Sequence, residues 1–327
     1  MLACSSARRR GLGAAKGFNV EEHVQRPVNA KQPRLIAVGG GKGGVGKSCF
    51  AVNTAVDIAR RGWRVVLFDG DLNCANVEAL IGTTCAESLD SFLGEASGRE
   101  LSDYLHPTPF RELSLLPSTS GALETLSLRY AARSRLLAQL AALDCDVVVI
   151  DLGAGAQPIT LDLFLLQPAE AVVVITPERT AIDSAFRFLR AAFFRQAERS
   201  YHAPALGALF HQTPSLPALL ERVREHSGLT PPVARRLRAE LIGAARDFRP
   251  RIVVNKAVSV YQAQIAANIL RKHMRQHLLA DLETLGHVAF DTSVSDAVNC
   301  ATPVLMHAPR QKAARCIVDL TNRLGYF

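Results

Sequence analysis

The chain has 327 residues, 48% of them hydrophobic and 21% charged, with a formal charge of +8. That supports one large core of roughly 250 residues plus extensions, and no run of 18 uninterrupted apolar residues is present to span a membrane. The seven cysteines are scattered without a C-x-x-C pair, which speaks against a zinc site or a disulfide framework and suits a reducing cytoplasm.

Residues 1–33 read as a flexible basic tail. They lack periodicity, and residues 1–34 hold seven Lys or Arg against two acids. No apolar stretch follows Arg8-Arg9-Arg10, so this is not a secretory leader. From Arg34 the pattern alternates between strand and helix. Short β-branched runs at 35–38, 64–68, 146–150, 171–175 and 251–254 predict buried parallel strands, with 113–117 a weaker candidate. Helical patterns at 48–61, 127–142, 180–195, 262–279 and 310–324 predict crossover helices. The fold class is therefore α/β: a doubly wound, mostly parallel sheet with helices on both faces.

The loop Gly39 to Ser48 joins the first strand to the first helix and contains the phosphate-loop pattern G-x-x-x-x-G-K-[ST] from Gly41 to Ser48. Glycines let backbone N–H groups surround a polyphosphate, and the helix N-terminus adds partial positive charge. In that pattern Lys47 reaches the β- and γ-phosphates and the Ser48 hydroxyl ligates Mg²⁺. The nucleotide-binding run is Gly41, Lys42, Gly43, Gly44, Val45, Gly46, Lys47, Ser48 and Cys49. Asp69, Asp71, Asp151, Thr176 and Asn255 all follow a predicted strand, where ligands of such sheets bind. Asp151, after four aliphatic residues, suits Mg²⁺ or its waters; a helix N-cap is the rival role. Asp69 and Asp71, two apart, share one side of an extended strand, and Asp-Gly also suits a turn. The Asn255 amide matches the complementary edge of adenine, with loop capping the alternative.

Lys42 to Ser48 resembles the deviant Walker A loop of the MinD/ParA P-loop ATPases. Val65 to Val77 is similar to the strand and switch I of the FlhG/MinD-like branch, and Val147 to Gly155 to the Walker B strand and switch II. Ile252 to Lys256 and Leu285 to Asp291 resemble the family's last strands. The resemblance implies an ATPase using ATP and Mg²⁺, slow until a partner protein stimulates it, that dimerises around nucleotide. Lys42 would touch the partner's phosphates, Asp71 would orient the attacking water and Asp69 would support the metal. Asn255 and Asp291 would attend the base. The related iron–sulfur carriers use paired cysteines, which this chain lacks.

The same resemblance makes residues 34–327 one ATPase domain, interrupted by a helical insertion at about 191–250. Nine Arg stand there against five acids. Phe193, Phe194 and Phe210 suit either a small core or a partner surface. The basic tail and insertion could serve anionic membrane or nonspecific DNA, or be solvated faces. Ile317, Val318, Leu320 and Leu324 form a stripe read as packing on the sheet, with an amphipathic membrane helix as the rival. The cellular expectation is a cytoplasmic switch, reversibly recruited to the inner membrane face or nucleoid, that positions a division site, flagellum or polar cargo. A ParA-like DNA partitioning role and a weakly active scaffold are the alternatives.

Overall fold

Strands β1 (Arg34–Gly39), β2 (Val65–Gly70), β3 (His106–Pro107), β4 (Leu113–Leu116), β5 (Val147–Leu152), β6 (Ala169–Ile175), β7 (Arg251–Ala257) and β8 (Thr284–Ala289) form one sheet. Its order is β3-β4-β2-β5-β1-β6-β7-β8. Every pairing is parallel except the short β3–β4 edge. This is a computed structural model, and it describes residues 32–72, 74–94, 98–119, 130–167, 169–200, 213–225 and 228–325. Almost all of the basic tail, together with Asn73 and Phe210, lies outside the described residues.

The sheet is apolar on both faces because its strands are continuous aliphatic runs. Successive side chains alternate sides. Ile36, Val38, Val65, Leu67, Val147 and Val149 feed one core, whereas Leu35, Ala37, Val66, Phe68, Val148 and Ile150 feed the other. Helix α1 (Lys47–Arg60) covers the first face, and α2 (Val77–Ile81) adds Val77 and Ile81 to it. Helix α3 (Asp90–Leu93), α4 (Tyr130–Leu140), α5 (Pro158–Phe164) and α6 (Arg179–Ser200) cover the second.

Residues 191–250 hold the end of α6, then α7 (Leu216–Glu225) and α8 (Pro231–Asp247). Helix α6 runs on to Ser200 without a break at 191. Leu216, Leu219, Leu220 and Val223 of α7, and Ala234, Leu237, Leu241 and Ala245 of α8, lie at helical spacing and enter the same core as α6. Phe193 meets Phe194 and Phe248 edge to face, so these aromatics join the main core. Helix α9 (Val260–Leu278) completes that layer, started by Ser259, whose hydroxyl accepts the Gln262 N–H. Helices α10 (Ser293–Asn299), α11 (Val304–His307) and α12 (Lys312–Arg323) return to the α1 face. Ile317, Leu320 and Leu324 are buried there, so the terminal stripe packs on the sheet.

Candidate functional site

The loop after β1 leaves the sheet between β5 and β6, on either side of which the chain winds in opposite directions. Such a switch point opens a crevice at the strands' carboxyl ends. Gly41 packs on α6 so closely that a Cβ there would sit 1.9 Å from the Ser184 carbonyl oxygen. Gly46, at φ +93°, turns the chain into α1. That left-handed turn is cheap only for glycine. Two loop carbonyls are tied back by the end of β7. Asn255 Nδ2 donates to Val45 O at 2.8 Å and Lys256 Nζ to Gly44 O at 2.9 Å. With those carbonyls held, an anion nest here would be built from the loop's N–H groups.

Lys47 is buried, and its Nζ reaches the Lys42 carbonyl at 3.5 Å. Burial lowers its pKa, opposed by the charges of Asp151 and Asp71. Lys42 points elsewhere: its ammonium donates to Thr180 Oγ1 at 2.9 Å, in an exposed position at the start of α6. Asp151 is fully buried, and neither carboxylate oxygen has a hydrogen-bond partner of good geometry. Burial pushes its pKa up to about 8, opposed by the nearby Ser48 hydroxyl and Lys47 charge. A buried, unsatisfied carboxylate beside a lysine and a serine suits a divalent cation with its phosphate ligand. Ser48 and Asp151 are the residues that fit it.

Asp69 is spent differently from the metal role expected of it. Its oxygens accept N–H groups from Asp71 at 3.3 Å and from Asn76 and Val77 at 3.0 Å each. Burial raises its pKa to about 6 against those bonds. It holds the switch loop and the start of α2, where backbone donors have no helical acceptor. Asp71 lies half-buried, its Oδ1 accepting the Cys74 N–H at 3.1 Å. Ser118 and Thr119 hydroxyls donate to the carbonyls of Asp71 and Leu72 at 2.9 and 2.6 Å. Gly153 leaves the space the Asp71 carboxylate occupies, since a Cβ there would lie 2.8 Å from Oδ1.

Two base-binding expectations meet the same physics. Asn255 uses its Nδ2 on Val45 and its Oδ1 on the Lys256 N–H, at 2.8 Å each. Asp291 accepts N–H groups of Ser293 at 3.0 Å and Ala313 at 3.2 Å, tying the loop after β8 to α12. Both side chains are committed to unpaired backbone groups near element ends, so adenine recognition by either would require exchanging these bonds. The Cys49 thiol accepts the Asn53 amide at 3.7 Å. A cavity of about 690 Å³ opens at the opposite ends of β6 and β7 beside Glu170, Arg251 and Arg271. It contains none of the loop residues.

A family model described as ParA, NUBPL iron-transfer P-loop NTPase, matches residues 31–201, just over half of the chain. The chain belongs to the ParA family of P-loop NTPases. As a ParA-family protein it is an ATP-binding P-loop ATPase. Among its relatives are the antiactivator FleN of Pseudomonas aeruginosa, 28% identical over 284 residues, covering 86% of this chain and 82% of FleN. The flagellum site-determining protein YlxH of Helicobacter pylori is 32% identical over 168 residues, covering 50% of this chain and 54% of YlxH. The fold matches a ParA family ATPase from Chlorobium tepidum with a TM-score of 0.59 at 17% identity, over 90% of this chain and all of that one. It also matches the septum site-determining protein MinD of Pyrococcus horikoshii complexed with Mg-ADP, with a TM-score of 0.55 at 18% identity, over 89% of this chain and 96% of that one.

Sequence reasoning missed Gly153 as the space for Asp71, Thr180 as the partner of Lys42, and Lys256 as a brace for the loop. Lys256 had a signal, standing beside Asn255 at a strand end. Ser118 and Thr119 had a weaker one, directly after a strand and Pro117.

Proposed function

We propose that the chain is an ATP-driven dimerising switch that positions a cellular machine. The observation that carries this reading is the division of labour between the two loop lysines. Lys47 is buried in its own site, whereas Lys42 stands on the exposed rim, its ammonium donating to the Thr180 hydroxyl and near enough to Glu178 to assist the Thr176 hydroxyl in lowering that carboxyl's pKa. A cation on the rim is placed to meet phosphate brought by another chain. YlxH, named as a flagellum site-determining protein, and MinD, named as a septum site-determining protein, support a positioning role; the reading places that role in the cytoplasm, with reversible recruitment to membrane or nucleoid.

In this reading the loop N–H groups and Lys47 bind the phosphates. Ser48 and Asp151 hold Mg²⁺, which neutralises charge on the transferring phosphoryl group. Asp71 orients the attacking water, and Asp69 keeps the switch loop in place. Catalysis of this kind depends on positioning and charge more than on a strong base. Low intrinsic activity then leaves control to an activating partner. The DNA alternative draws on the arginines of 191–250, but several are paired: Arg195 and Arg199 with Asp162, and Arg236 with Glu240. The iron-transfer description of the family model draws no support from this chain's unpaired cysteine spacing.

The test is hydrolysis per chain as a function of protein concentration. A dimerising switch gives a rate that climbs with concentration and is lost in Lys42→Ala while ATP binding persists. A rate independent of concentration, with Lys42→Ala fully active, would remove the dimer from the mechanism.

A further inference from the structure

The cavity of about 690 Å³ at the starts of β6 and β7 has a lining of two kinds. Its apolar part is buried: Phe164 ends α5, Phe248 follows α8 and Leu282 stands just before β8. Its rim is charged, and most of those charges are matched. Glu170 pairs with Arg251 and, at 3.7 Å, with Arg34. Asp281 pairs with Arg271 at 3.1 Å and Arg275 at 2.9 Å. Three groups are left over. Among the described residues, the exposed side chains of Asp247, Arg249 and Glu283 have no ion pair and no hydrogen bond.

The chain enters the body at this same place. Arg34 begins β1 and pairs with Glu170 of the cavity rim, and Leu35 lies level with Ala169 at the start of β6. Neighbouring strands are about 4.8 Å apart, so the segment preceding β1 emerges one strand away from the cavity. Residues 1–31 lie outside the described residues. The large apolar residues among them that stand nearest to β1 are Phe18, Val20, Val24 and Val28, set among Lys16, Glu21, Glu22, Arg26 and Lys31. Ten extended residues span about 33 Å, so all four are within reach. We propose that residues 18–28 dock in this cavity of their own chain, with Phe18 and the valines on the apolar lining and the neighbouring bases on Asp247 and Glu283.

Charge and tethering select this occupant. The unmatched groups of the rim are two acids and one base, and residues 16–31 carry three bases and two acids. The two surfaces are thus opposite in net sign, and Glu21 and Glu22 have Arg249 to meet. A small-molecule pocket is mostly apolar with a few placed polar groups, whereas this one is rimmed by unmatched charges of both signs. A segment joined to the body by a short linker also stays at about millimolar effective concentration. A contact too weak to hold a separate molecule is then still occupied by the tail. The cavity contains no residue of the phosphate loop, so docking there leaves nucleotide binding and hydrolysis as they are.

The test uses the full chain with the photo-crosslinker p-benzoylphenylalanine in place of Phe18, the products being mapped by peptide mass. The expected crosslinks join residue 18 to residues 164–171, 247–251 or 281–283 of the same chain, at a yield independent of protein concentration. Asp247→Lys combined with Glu283→Lys should lower that yield about fivefold, with melting temperature and ATP hydrolysis unchanged. Both positions are exposed, and a lysine in place of Asp247 suits the C-terminus of α8. Deuterium uptake supplies a second reading without the crosslinker: Phe18→Asp should speed exchange in residues 164–171 and 247–251 about threefold. Crosslinks that map elsewhere or do not form, a charge reversal without effect, or uptake that Phe18→Asp leaves unchanged would each overturn the proposal. Crosslinks between chains, rising with concentration, would give the cavity to a second copy and overturn it as well.

Discussion

Gly153→Ala isolates the Asp71 carboxylate without touching it. An added Cβ would lie 2.8 Å from Oδ1 and 2.9 Å from Cγ of Asp71. Ordinary contact begins near 3.4 Å, so the carboxylate must retreat by about 0.6 Å. Gly153 does not have a positive φ, so alanine costs the backbone little, and the group that moves is the end of a half-buried side chain. A misplacement near 1 Å costs a catalytic group roughly 100-fold, which puts the expected loss at about 10- to 100-fold in hydrolysis. Phosphate release measured at saturating ATP gives the rate, and titration calorimetry with a non-hydrolysable analogue gives affinity, expected to change less than about threefold. In an Asp71→Ala background the glycine change should add nothing, because the carboxylate it displaces is gone. Full activity in Gly153→Ala, or an undiminished effect in the double variant, would refute the placement of Asp71.

Asp151→Asn should alter how stability depends on pH. Burial raises the folded carboxyl to about 8, against about 3.9 unfolded, so the folded state binds the proton more tightly. Wild-type stability from this group is complete below about pH 4 and is lost as pH rises toward 8, by at most ~1.4 kcal/mol per pH unit. The asparagine variant lacks that slope, so denaturant unfolding of the nucleotide-free proteins at pH 5.5 and 8 should show the variant gaining on wild type by about 2–3 kcal/mol; parallel curves would exclude it. Lys256→Met removes a brace on the Gly44 carbonyl and should weaken ATP binding by about 1 kcal/mol, read by calorimetry. Asp162, almost wholly buried, joins α5 to Arg133 of α4 and to Arg195 and Arg199 of α6. Asp162→Ala should cost about 3 kcal/mol in denaturant unfolding, and a change below about 0.5 kcal/mol would show the cluster to be ornamental.

Much of the fold was legible because its central strands are uninterrupted aliphatic runs. Val147 to Ile150 must be buried on both faces, and only a parallel sheet covered by helices does that. The two-residue β3 escaped, since His106-Pro107 has neither length nor pattern. So did α5, seven residues long and begun by Pro158 directly after the switch segment. The phosphate loop was readable because its chemistry is contiguous. The braces were not. Asn255 meets Val45 across 210 residues, and Lys42 meets Thr180 across 138. A sequence shows that an asparagine could read a base; it does not show that an unpaired backbone carbonyl has already claimed it. Asp69 and Asp291 illustrate the same competition, as carboxylates at strand ends beside N–H groups that lack partners.

The most direct test of the switch itself is the solution mass of Asp71→Ala by light scattering, with Mg-ATP and with Mg-ADP, alongside Lys42→Ala. A dimer that forms with ATP, dissolves with ADP and fails without Lys42 is the expected result. A mass that never responds to nucleotide, in protein shown to bind it, would contradict the dimerising switch and leave a nucleotide-bound scaffold.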